Sequence, residues 1–189
     1  MEARRLATTA MLAALAFIVM AAIQIPVLPQ APYLTYDPSD AVALVAGVLY
    51  GPGTGVTVVA IKDLLYLLLR AHGPFGPAAD FLAAATFVWV TSWTFARLHG
   101  SFARRLAWAA ASGTAARVLI MIPANFVLLW LQFGTAPAGV ARLVLPVIVP
   151  FNAVKAAANA LLALCIAEPV ARAAAPRGRA PWSGPPTSR

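Results

Sequence analysis

Asn152, Lys155 and Asn159 lie at spacings of three, four and seven within Pro150-Phe151-Asn152-Ala153-Val154-Lys155-Ala156-Ala157-Ala158-Asn159. On a helix those spacings put all three on one face. Lysine brings three donors, and each asparagine brings donors and acceptors, so the face is equipped for hydrogen bonding. The segment around it is long and apolar enough to cross a bilayer, where an ammonium costs roughly 2.5–3.5 kcal/mol on insertion scales. A charge kept there is expected to face a partner, a cavity or a substrate. The stripe is read as one wall of a small-molecule pocket. A second segment, Met121-Ile122-Pro123-Ala124-Asn125, has a related design. Pro123 cannot donate to the carbonyl of Leu119, so the backbone is opened beside an amide, as at Pro150-Phe151-Asn152. Two such helices predict a polar cavity lining.

Bond-making chemistry is not written in this chain. It contains no His-Glu-x-x-His, no Gly-x-Ser-x-Gly and no paired acids on one helix, so no catalytic residue is assigned. His72 and His99 are the only histidines and Cys165 the only cysteine, so neither a histidine nor a cysteine metal site is expected. Gly51-Pro52-Gly53-Thr54-Gly55 lacks both the Gly-Lys-Ser/Thr ending and a preceding strand pattern, which rejects a phosphate loop. An intramembrane enzyme, or a structural subunit whose polar face binds other helices, stands as the competing reading.

The elements that must carry these residues follow from composition. The chain has 189 residues, of which 61% are hydrophobic and 11% charged, with a mean hydropathy of +0.81. That is a polytopic membrane protein. The net charge of +8 comes from basic clusters between apolar runs, which sets orientation and is not a nucleic-acid footprint. Apolar runs cover about Leu6 to Val27, Ala41 to Tyr50, Val56 to Leu69, Ala79 to Phe95, Leu106 to Phe133 and Leu143 to Ala167. The second is short for a span, and Ser39 or Asp40 is expected to cap it. Lys62-Asp63 in the third run is read as a structural pair neutralised within the bundle. Counting six spans with the amino terminus inside puts Arg4, Arg5, Arg97, Arg104, Arg105, Arg172, Arg177, Arg179 and Arg189 in the cytoplasm. Only Arg70 and Arg142 are then outside, and the positive-inside rule favours this count. The expectation is an all-α membrane protein with six transmembrane helices and both termini cytoplasmic. Residues 1–171 form the membrane domain, and 172–189 form a Pro/Arg-rich, disordered tail. Asp80, Asn125, Asn152 and Lys155 then lie toward the outer side, under the acidic, aromatic loop Pro26 to Asp40. This is the layout of an outward-facing binding site with a loop to cover it.

Tyr33-Leu34-Thr35-Tyr36-Asp37-Pro38-Ser39-Asp40, Leu49-Tyr50-Gly51-Pro52, Ile61-Lys62-Asp63, Asp80-Phe81-Leu82-Ala83, Ile122-Pro123-Ala124-Asn125-Phe126 and Pro150-Phe151-Asn152-Ala153-Val154-Lys155 stand in that order. The chain thereby resembles the riboflavin-specific substrate-binding subunits of energy-coupling-factor (ECF) vitamin transporters, over about Leu6 to Ala167. The resemblance implies a bacterial plasma-membrane subunit that captures riboflavin from outside and has no ATPase or cofactor of its own. It implies as partners a membrane scaffold protein and two cytoplasmic ATPases. By the same resemblance Asn125, Asn152 and Lys155 hydrogen-bond the flavin and Tyr33, Leu34, Thr35, Tyr36 and Asp37 form a lid loop. Ala10 and Ala14, a small-xxx-small pair, dock the first helix on the scaffold. Asp80 stands where relatives commonly have Asn, and a carboxylate there is expected to pair with Lys155. Subunits for other vitamins share the fold, so a different vitamin is the alternative ligand.

Overall fold

The computed structural model describes residues 2–29, 31, 34–134 and 136–174. These form helices and one small ribbon. Helix α1, Glu2–Ala22, is alanine-rich and ends before the predicted apolar run does. The β-branched Ile25 and the proline after it leave the helix, and Ile25–Pro26 pairs antiparallel with Thr35–Tyr36. This ribbon marks one end of the bundle.

Helix α2, Ser39–Tyr50, rises about 18 Å. Its capping differs from the expectation. Neither Ser39 nor Asp40 caps it; instead Asp37 Oδ1 accepts the Ser39 N–H at 3.1 Å and also the Ser39 hydroxyl. Asp40 is left free to pair elsewhere. Most of α2 is buried, because it is surrounded by α1, α3 (Pro52–Leu69), α4 (Phe75–Arg97) and α7 (Val149–Ala174). A helix enclosed in this way does not need the length of a lipid-facing one.

Gly51, at φ +100°, makes the corner between α2 and α3, and Pro52 follows as the first helical residue. The break expected over Gly51 to Gly55 is therefore a single residue wide. Gly55 serves packing: a Cβ there would lie 2.5 Å from Val88 Cγ1 and 2.8 Å from the Gly47 Cα. The helices α2, α3 and α4 meet at that point.

Helix α5, Phe102–Phe133, is continuous through Pro123. It packs along α4 and α7. The last apolar run is a long helical rod in three parts: α6, Pro137–Leu143, a π-helical turn, Val144–Ile148, and α7. Pro146 and Pro150 lie four residues apart, so Pro150 cannot close the usual bond to Pro146. The Val149 N–H reaches back five residues to the Val144 carbonyl instead. Helix α7 runs through Arg172 to Ala174, and the remainder of the expected tail lies outside the described residues.

Helices α1, α3 and α5 and the α6–α7 rod are long and apolar enough to cross a membrane, whereas α2 is a shorter apolar helix. Large apolar side chains such as Met11, Trp108, Leu119, Trp130 and Leu161 face outward. This all-α, multi-pass architecture places its polar groups inside and its greasy ones against lipid.

Candidate ligand-binding site

All four aspartates and both lysines of the chain come together with Arg117 near the ribbon end of the bundle. Lys155 Nζ, on α7, lies 2.8 Å from Asp37 Oδ2 and 2.7 Å from Asp80 Oδ1. Lys62 Nζ, on α3, lies 2.7 Å from Asp80, 2.9 Å from Asp63 and 3.4 Å from Asp40. Arg117, on α5, donates to Asp40 Oδ2 at 2.8 Å and to Asn152 Oδ1 at 3.1 Å. Helices α2, α3, α4, α5 and α7 are thus tied at one level. Removing charges from water is costly, and only this mutual pairing makes the cluster tolerable.

The network forms the polar floor of a cavity of about 280 Å³, near the lower limit of typical ligand pockets. Asp37, Asp80, Arg117, Asn125, Asn152 and Lys155 line it. Met20 of α1, Gln24 just beyond its end, Tyr66 of α3, Phe75 of α4 and Met121 of α5 add walls that are mostly apolar. Such a site suits a flat, largely apolar molecule with hydrogen-bonding groups along one edge.

The predicted binding residues Asn125, Asn152, Lys155 and Asp80 all border this one cavity. The expected Asp80–Lys155 pair is present. The Asn152–Lys155–Asn159 stripe is buried, but its members divide the work. Asn159 faces α2, accepting the Ala41 N–H at 2.9 Å and donating to the Asp37 carbonyl at 3.1 Å. Asn152 and Lys155 face the cavity. Both proline-adjacent amides satisfy backbone one turn back, Asn125 at Met121 O (2.7 Å) and Asn152 at Ile148 O (3.0 Å).

Of the expected lid residues, Leu34, Thr35 and Asp37 border the cavity, while Tyr36 does not and Tyr33 lies outside the described residues. Asp37 is deeply buried, which makes it part of the floor network as well as of the loop. Burial, followed by the carboxylates of Asp37 and Asp40, raises the Tyr36 phenol above its ordinary value, so it stays neutral. Ala10 and Ala14 lie on the exposed side of α1, away from the cavity.

Sequence reasoning gave Arg117 no role and took Asp40 for a cap. Arg117 carried the same signal as Lys155, a lone cation inside an apolar run. Asp40 carried no comparable signal, since an acid in the first turn of a helix is also what favourable end chemistry looks like. The neutralising role expected for Lys62 and Asp63 is what the structure places there, with Asp80 and Asp40 joining in.

Comparison with known proteins bears on this geometry. The family described as "ECF transporter, substrate-specific component" matches residues 4–167. The riboflavin transporter FmnP of Bacillus subtilis (strain 168) is 34% identical over 166 residues, covering 82% of this chain and 85% of that protein. The riboflavin transporter RibU of Staphylococcus aureus (strain TCH60) is 44% identical over 86 residues, 45% of this chain and 44% of that one. A solved structure, described as the S component of a bacterial ECF transporter, superposes with a TM-score of 0.74 at 28% identity. It covers 91% of this chain and 98% of its own. The buried polar floor and the apolar walls above it therefore belong to a substrate-specific component of the ECF transporters, the family of which this chain is a member.

Proposed function

We propose that this chain binds riboflavin at the Asn125–Asn152–Lys155 floor and serves as the substrate-capturing subunit of an ECF transporter. The observation that carries the reading is the convergence of two carboxamides and an ammonium on the floor of one largely apolar cavity. The flavin ring is flat and apolar with carbonyls and ring nitrogens at its edge, and its ribityl chain is hydroxylated. Amides supply both donors and acceptors to such an edge, and Lys155 supplies a donor. The relatives named as riboflavin transporters support the same ligand.

The bundle crosses the bacterial plasma membrane six times with both termini in the cytoplasm. That count follows the arginine distribution, and the enclosed α2 serves as the short second crossing. The lid loop, through its Leu34–Asp37 part, covers the cavity from the outer side. The exposed Ala10/Ala14 face of α1 docks on a membrane scaffold protein that carries two cytoplasmic ATPases. Energy for uptake comes from that module, and no catalytic step is assigned to this chain.

The test is an absorbance spectrum of detergent-purified protein from flavin-containing cells, followed by a riboflavin fluorescence-quenching titration. Co-purified flavin and saturable quenching are the expected results. Folded protein with neither would reject riboflavin and direct a screen of other vitamins.

A further inference from the structure

Arg117 is the buried cation of the floor that the ligand reading leaves without a task. It is 1% exposed, borders the cavity and comes from the middle of α5. Its guanidinium spans two partners with different groups: Nη1 donates to Asp40 Oδ2 at 2.8 Å and Nε to Asn152 Oδ1 at 3.1 Å. Asp40 is itself fully buried at the start of α2. The guanidinium is planar and rigid, so a carboxylate gripping one side aims the other.

A carboxamide has no preferred orientation of its own, since its oxygen and nitrogen ends are nearly the same shape. At Asn152 both ends are committed. Oδ1 accepts from Arg117, and Nδ2 donates to the Ile148 carbonyl at 3.0 Å. A flip would set the amide N–H groups against the guanidinium and the amide oxygen against a backbone carbonyl. Two buried contacts would then be unsatisfied, which is strongly unfavourable. The fixed amide retains one oxygen lone pair and one N–H for whatever fills the cavity. That pair complements a ligand edge carrying an N–H beside a C=O, as in an imide ring.

We propose that Arg117, aimed by Asp40, is a positioning residue that fixes the Asn152 amide in one orientation, so that the floor selects ligands with a neutral N–H/C=O edge. This rests on the flavin reading and adds to it the residue that sets the donor–acceptor order. Arg117 acts through Asn152.

The experiment compares binding of riboflavin and of its N3-methyl derivative, which keeps the ring and side chain but lacks the imide N–H. Quenching titrations are made with the parent protein, with Arg117→Lys, and with the charge-neutral double variant Arg117→Met/Asp40→Asn. The parent is expected to prefer riboflavin by about tenfold or more, the value of one to two hydrogen bonds. In the double variant that preference falls severalfold, because the amide keeps only the Ile148 carbonyl as an anchor and the guanidinium no longer enforces the order. Arg117→Lys keeps a cation for Asp40 but lacks the rigid fork, and loses most of the preference while folding. A loss of affinity equal for both ligands, with the ratio preserved, would show a merely structural role and overturn the proposal. So would an unchanged ratio in Arg117→Lys alone, if the double variant does not fold. Absence of riboflavin binding by the parent protein is a separate outcome that overturns the flavin reading and this proposal with it.

Discussion

Lys155 serves two carboxylates at once, which makes its loss more damaging than its single charge suggests. In Lys155→Met, Asp37 loses its ion-pair partner, and Asp80 keeps only Lys62 and the more distant Arg117. Breaking a buried pair from one side costs about 3–5 kcal/mol. The variant should show a clear drop in thermal midpoint in detergent together with loss of flavin quenching. Asp63 offers the contrast. Four carboxylates, Asp37, Asp40, Asp63 and Asp80, face three cations, Lys62, Arg117 and Lys155, leaving one excess negative charge if all are ionised. Asp63 Oδ2 is buried without a hydrogen-bond partner. Asp63→Asn removes that excess and keeps an acceptor for Lys62, so its thermal midpoint should stay close to the parent's and quenching should persist. A midpoint drop as large as that of Lys155→Met would contradict this account of the cluster. At this scale the sequence was partly readable. Helical spacing alone brought Asn152, Lys155 and Asn159 to one buried face. It could not say that Arg117 and Asp40 meet, because a lone charge in an apolar run predicts a partner without naming it.

Among the elements, the glycines show which local breaks matter. Gly51 and Gly53 look equivalent in the sequence, yet Gly51 sits at φ +100° in a corner while Gly53 is helical with open space around it. Gly53→Ala should be neutral or stabilise by up to about 1 kcal/mol through helix propensity. Gly51→Ala should destabilise by roughly 1–3 kcal/mol, since φ +100° with ψ 158° is a conformation essentially confined to glycine. Gly113 is a contact glycine. A Cβ at that position would lie 2.8 Å from the Phe87 carbonyl oxygen and would also meet the Thr91 hydroxyl, so α5 could not stay seated on α4. Gly113→Ala is expected to cost about 1–3 kcal/mol by overpacking. Midpoints of these three variants, measured side by side, would order as Gly53→Ala above Gly51→Ala and Gly113→Ala. The apolar runs located the helical segments well, because lipid-facing surface demands continuous apolar sequence. Their ends were less legible. Helix α1 stops early because Ile25–Pro26 finds its strand partner, Thr35–Tyr36, across the adjoining loop. The π-helical turn at Val144–Ile148 depends on two prolines acting together, which a window average does not register.

For the whole molecule, α1 presents a buried side and an exposed side. Met20 reaches the cavity, and Ala13 and Ala16 are fully buried against the other helices. Ala10 and Ala14 face outward beside Met11, Leu15 and Ile18. A stripe of small residues lets another helix backbone approach closely, and in lipid such packing is a main source of helix association. Larger side chains on that stripe should therefore block assembly without touching the pocket. In Ala10→Leu/Ala14→Leu, riboflavin quenching by the isolated subunit should match the parent within about twofold, because neither residue borders the cavity. Co-purification with the proposed scaffold and its ATPases, and riboflavin uptake into cells, should both be lost. Ala10→Ser/Ala14→Ser, which stays small, should retain both. If the leucine variant assembled and transported normally, the docking face would have to be sought elsewhere on the bundle. If it lost flavin binding as well, the two sides of α1 would not be independent, and ligand capture would be coupled to assembly through this helix.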